Sequence, residues 1–109
     1  MKYAHGPLGG KDAFGSALNR QTAKINRAVF ELGDCSVEDV VNYVKRVNGV
    51  ELLELRVSKH FMWLTGADDR GQFEKAGFGP FAVRTEKGGR LTEEARARYM
   101  QWLERQRLA

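Results

Sequence analysis

With a single cysteine, Cys35, in 109 residues, the chain cannot form an intramolecular disulfide. That excludes the stapled frameworks by which small secreted domains make up for a thin core, and a reducing compartment fits best. Histidine is nearly as scarce: His5 and His60 are the only two and lie far apart, so no set of His and Cys at zinc-ligand spacing can be assembled. No Gly-Lys-Ser or Gly-Lys-Thr triplet exists for a phosphate loop. Gly77-Phe78-Gly79 lacks the strand-before, helix-after setting of a dinucleotide loop and reads better as a hairpin tip. No nucleophile stands with a base, and no acids pair as in a hydrolytic site. The expectation is a protein that is not an enzyme, with no catalytic residue, metal or cofactor. No apolar run approaches the length of a membrane span, and the N-terminus lacks the apolar core of a signal segment, so the expected location is cytoplasmic.

What is present is ordinary globular usage. At 42% hydrophobic and 29% charged residues, the composition is not that of a disordered chain. The length suits one domain with a modest core. The formal charge of +4 favours polyanionic partners, and it is unevenly placed. Before Phe30 stand Lys2, Lys11, Arg20, Lys24 and Arg27 against the lone acid Asp12, whereas acids outnumber bases from Glu31 to Val57.

Residues 1–15 are glycine-rich without helical or alternating order and read as a flexible arm, leaving 16–109 as a single domain. From Ser16, Leu18, Ile25, Val29 and Leu32 fall on one helical face, with Gly33 as a stop. Arg20, Lys24 and Arg27 form a basic stripe on that helix, either a solvated face or a set of phosphate contacts. Ser36 caps a second helix carrying Val37, Val40, Val41, Val44 and Val47, closed by Gly49. Over 51–65 two periods compete. A helix stacks Leu53, Val57, Phe61 and Leu64, and a strand alternates Leu53, Leu55 and Val57 with polar residues; the helix is preferred because its stripe runs on through Leu64. Gln72–Ala76 and Phe81–Thr85 alternate around Gly77–Pro80 as a β-hairpin ended by Gly88-Gly89. Thr92 caps a last helix with Ala95, Tyr99, Trp102 and Leu103 on one aromatic-rich face.

The order helix, helix, helix, hairpin, helix resembles a winged helix-turn-helix. The stretch SVEDVVNYVKRVNG is similar to its second helix and turn, RVSKHFMWLTG to its recognition helix, and FEKAGFGPFAVRTEKGG to its wing. LTEEARARYMQWLERQ is similar to the extra terminal helix through which many such regulators form homodimers. The expected fold class is therefore α+β, mainly helical, with three helices, a β-hairpin wing and a C-terminal helix. The resemblance implies a DNA-binding transcriptional regulator, with a recognition helix at about 51–65 and a wing at about 72–87. Arg56, Ser58, Lys59, His60 and Trp63 would face the major groove, and Lys75, Arg84 and Lys87 would meet backbone or minor groove. Arg20, Lys24 and Arg27 would be phosphate contacts or plain surface.

Two other readings stay open. Glu51, Glu54, Asp68 and Asp69 would repel phosphate, and Leu52, Leu55 and Met62 are apolar where a DNA-facing helix would be polar. Together with Trp63 these apolar residues would anchor a protein partner, making the chain a non-enzymatic adaptor or inhibitor. The strand reading of Val50–Val57 gives instead an α+β domain with a three-stranded sheet that binds RNA or a small ligand.

Overall fold

The computed structural model describes residues 10–66 and 80–108. Within them lie four helices and a two-stranded antiparallel hairpin, a mainly helical α+β arrangement around one apolar core. No helix among the described residues is long and apolar enough to cross a membrane.

The chain enters through a closed turn rather than a loose arm. Asp12 Oδ1 accepts hydrogen bonds from the backbone N–H of Phe14 and of Ser16, both at 2.9 Å, and Leu18 N–H donates to the Gly10 carbonyl. A carboxylate that satisfies the amides just after it makes a turn out of glycine-rich sequence. The Phe14 ring is thereby delivered into the core, 4.4 Å from the Phe81 ring centroid and 5.4 Å from that of Tyr99. The arm expected over residues 1–15 therefore does not extend to 15: residues 10–15 pack with the domain, while residues 1–9 lie outside the described residues. This turn also delays the first helix. Helix α1 runs Gln21–Leu32, not from Ser16, and buries Ile25, Asn26, Ala28, Val29 and Phe30.

Helix α2, Val37–Asn48, is specified locally. Ser36 and Asp39 form a reciprocal capping box, Glu38 and Asp39 sit in the first turn, and Lys45 and Arg46 in the last. Gly49 closes it in the left-handed conformation at φ 70°, which an L side chain adopts only with strain. Val50–Leu53 then run extended, with Leu52 buried as an anchor, and α3 occupies Glu54–Leu64. The segment is helical, so the strand alternative and its three-stranded sheet are overturned. Val57, His60 and Leu64 point inward.

The hairpin pairs β1, Ala82–Arg84, with β2, Gly89–Leu91, in the register Ala82↔Leu91, Val83↔Arg90 and Arg84↔Gly89. The expected end at Gly88-Gly89 instead lies within this hairpin; the first expected strand, Gln72–Ala76, and the expected tip up to Gly79 lie outside the described residues. The glycine pair serves close approach, not termination. A Cβ on Gly88 would stand 2.4 Å from the Cys35 carbonyl oxygen, and Gly89 exchanges both backbone hydrogen bonds with Cys35 at 3.0 Å. The junction of α1 and α2 is stitched to β2 in this way.

Helix α4, Glu93–Leu108, begins where the Thr92 hydroxyl accepts from Ala95 N–H. Its Ala95 and Tyr99 are buried, and Trp102 and Leu103 pack against the core. The aromatic-rich face of the last helix is thus largely part of the chain's own core.

Candidate nucleic-acid interface and the groove beside the third helix

A polar chain runs through the core beneath α3. Asn26, fully buried on α1, donates from Nδ2 to Asp12 Oδ2 at 2.8 Å and to Ser16 Oγ at 3.1 Å. Both amide hydrogens are then committed, so Oδ1 is the atom that meets His60 Nε2 at 2.6 Å. An acceptor there requires the proton on Nε2, which leaves Nδ1 of a neutral imidazole as a bare acceptor. Burial holds His60 down at about 4, and the same cause raises Asp12 above its ordinary value against the pull of its hydrogen bonds from Asn26, Ser16, Phe14 and Gly15.

His60 therefore makes the fold acid-sensitive. Below pH 6.5 an unfolded histidine binds a proton that the folded one refuses until about pH 4. Stability should be full above pH 6.5 and fall through that window, by about 3 kcal/mol in total. Asp12 works oppositely: its raised value lets the folded state take up a proton first, a gain complete only below 3.8, which offsets part of the loss at the acid end. Urea midpoints measured from pH 7.5 to 4 should fall in the parent and flatten in His60→Gln; equal slopes would assign the acid sensitivity elsewhere.

His60 thus belongs to the packing side of α3, not to the groove-facing set expected of it. Trp63 is half-buried and follows it, its ring centroid 5.1 Å from that of His60 and 5.3 Å from that of Phe81. The exposed polar residues of the helix are Glu54, Arg56, Ser58 and Lys59. Leu55 and Met62 stand two turns apart on the face opposite Val57 and Leu64. They are 66% and 39% exposed, and Leu53 before them is 75% exposed.

Between α3 and the start of α1 lies a groove of about 350 Å³. Leu53, Leu55 and Trp63 supply apolar wall, Thr22 and the buried His60 its inner polar atoms, and Arg56 and Lys59 its cations. A neighbouring cleft shares Thr22 and Arg56 and adds Arg20 and Gln21. Arg20, Arg56 and Lys59 are thereby gathered on one side, and none of them forms an ion pair among the described residues.

The other expected cations fall elsewhere. Lys24 and Arg27 line a separate cleft with Tyr43, Val47 and Trp102, and Arg27 is paired with Glu31 at 2.8 Å. Lys87 at the hairpin tip lies 3.6 Å from Asp39, and Thr85 donates to Asp34, so the tip is drawn toward the start of α2. Arg84 is exposed on β1. Lys75, Asp68 and Asp69 lie outside the described residues. Of the acids near α3, Glu51 is engaged by Lys45 at 3.3 Å.

Asp12 and Asn26 were not expected to matter, and Thr22 only as a residue bridging the gap between Leu18 and Ile25 on the face of the first helix; Asn26 left a signal, a polar residue next to Ile25 and three before Val29. Among the described residues no three His, Cys, Asp or Glu side chains converge as a metal site would require. Compared with family models, curated proteins and solved structures, the chain matches none.

Proposed function

We propose that the protein binds double-stranded DNA in the manner of a winged helix-turn-helix regulator, with α3 as the element that enters the groove. The observation that carries this reading is the grouping of Arg20, Arg56 and Lys59, without acidic partners among the described residues, beside an exposed helix that also presents Ser58. Unpaired cations cost nothing to desalt from a partner before meeting phosphate, and arginine or lysine on such a helix can donate to guanine O6 and N7. The stitching of the hairpin to the α1–α2 junction supports the reading by holding the hairpin beside the helix pair. The reading no longer uses His60, Lys24 or Arg27, and it keeps Arg84 as the exposed hairpin cation.

The test is duplex binding followed by fluorescence anisotropy at several salt concentrations. Three phosphate contacts imply a log–log salt slope near −3, a loss of roughly 40-fold between 50 and 200 mM salt. The double reversal Arg56→Glu with Lys59→Glu should abolish retention, while Lys24→Glu, on the other side of α1, should change it little. Binding that ignores salt, or that Lys24→Glu weakens as much as the double reversal, would remove the proposal.

One observation favours the second reading, protein docking. The outward face at the start of α3 is apolar, with Leu53 at its cap and Leu55 in its first turn largely in solvent. Under that reading Leu55→Ser removes function and the charge reversals do not.

A further inference from the structure

We infer that the groove between α3 and the start of α1 is a binding site for a small planar aromatic carboxylate. The inference rests on the groove alone and does not require that the chain bind DNA.

Size sets the first limit. About 350 Å³ lies at the small end of ligand pockets, room for a one- or two-ring molecule and too little for a folded segment of another protein. The walls set the second. Leu53 and Leu55 are exposed apolar side chains with no partner of their own to cover them, and Trp63 offers a ring held in place by His60 on one side and Phe81 on another. A flat apolar body gains by covering all three at once.

The polar atoms decide the charge and its position. Arg56 and Lys59 are exposed, form no ion pair among the described residues, and both line the groove, so a single carboxylate at its rim meets two cations without displacing an existing partner. A guanidinium can take such a carboxylate through two parallel hydrogen bonds, the stronger of the two contacts. Among the described residues of the lining His60 alone is nine-tenths buried, 8% exposed. Asn26 claims its Nε2 proton, so this ring has no donor left to offer a second acid. The Asp12–Asn26 pair keeps the imidazole in that tautomer. Inside the groove a small cation is repelled at the rim, and a small molecule with several negative charges finds apolar walls where its further charges would lie.

The probe is 2-naphthoate, titrated into the full chain without nucleic acid, with the neutral 2-naphthamide as its control. Binding is read from two-dimensional amide spectra, including the indole N–H of Trp63, and from calorimetry. Naphthoate should bind with a Kd on the order of a millimolar or tighter, as expected for a ligand of this size, and shift Trp63 and residues 53–60. The amide should bind about tenfold more weakly. Arg56→Gln with Lys59→Gln, both exposed changes whose folding the same spectra verify, should erase the difference between acid and amide. Leu55→Asp should weaken the acid more than the amide. Equal affinity for both probes in the parent, shifts that map instead to the cleft around Tyr43 and Trp102, or no shift at Trp63 at ten times the expected concentration would each overturn the assignment.

Discussion

Replacing Asn26 with alanine should destabilise the domain by about 3 kcal/mol, a large part of what a domain of this size has to lose. The cost comes from the neighbours left behind more than from the amide removed. His60 Nε2–H and Asp12 Oδ2 each lose a partner at 2.6 and 2.8 Å, and both residues are buried, 8% and 6% exposed. A buried donor or acceptor without a partner costs about 1–3 kcal/mol, and the vacated volume adds a cavity term. Asn26→Asp should behave differently. It retains an acceptor for His60 but sets a second carboxylate against Asp12, so it should raise the histidine's affinity for a proton. Its deficit should shrink as the pH falls and one carboxyl takes up a proton. Urea denaturation of both variants at pH 7.5 and pH 5 separates these effects. A loss below about 1 kcal/mol for Asn26→Ala would mean that water satisfies the chain after all.

The second large effect is expected at Tyr99, where Tyr99→Ala should cost about 4 kcal/mol. Its ring centroid lies 4.6 Å from that of Phe30, 5.4 Å from Phe14 and 5.3 Å from Trp102, so it is the point at which α4, α1 and the N-terminal turn meet. Deleting it unpacks three rings at once. Burial drives the hydroxyl well above its ordinary pKa, with Asp12 adding to the rise and Arg27, its hydrogen-bond partner, opposing it. The oxygen therefore stays protonated, and its loss in Tyr99→Phe should cost about 1 kcal/mol. Thermal unfolding of the two variants tests the division. A phenylalanine as damaging as the alanine would move the weight from ring packing to the hydroxyl.

The parts of the fold that could be read in advance are those whose causes are local. Helix α2 was legible because Ser36, Asp39 and Gly49 cap it from within a dozen residues, and α4 because Thr92, Glu93 and Glu94 announce its start. The period over 51–65 correctly favoured a helix, yet its start was placed early because Leu52 is buried from an extended stretch and looks the same in either state. What was misread depends on distant partners. Gly88-Gly89 looked like a terminator, but the reason for glycine at 88 is the Cys35 backbone, more than fifty residues away in sequence. His60 sits between Lys59 and Phe61, and only Asn26, 34 residues earlier, makes it a core residue. The basic residues could be counted from the sequence, but not sorted. Residues four and seven apart on α1 from Arg20 land on a different side of the molecule, because the chain is still turning at Arg20 and is helical only from Gln21.

The seam between Cys35 and β2 has a chemical consequence. The chain's only thiol is 1% exposed, its Sγ sits 3.8 Å from the Gly89 carbonyl, and burial, with Asp39 and Asp34 adding to it, pushes it up to about 11. At neutral pH it is protonated and shielded, neither nucleophile nor target, so thiol-directed oxidants and alkylating reagents pass it by in the folded molecule. Thiol chemistry begins only when the hairpin lifts from the α1–α2 junction. The native thiol is thus a built-in clock for that one opening event, running at the rate at which this part of the protein breathes.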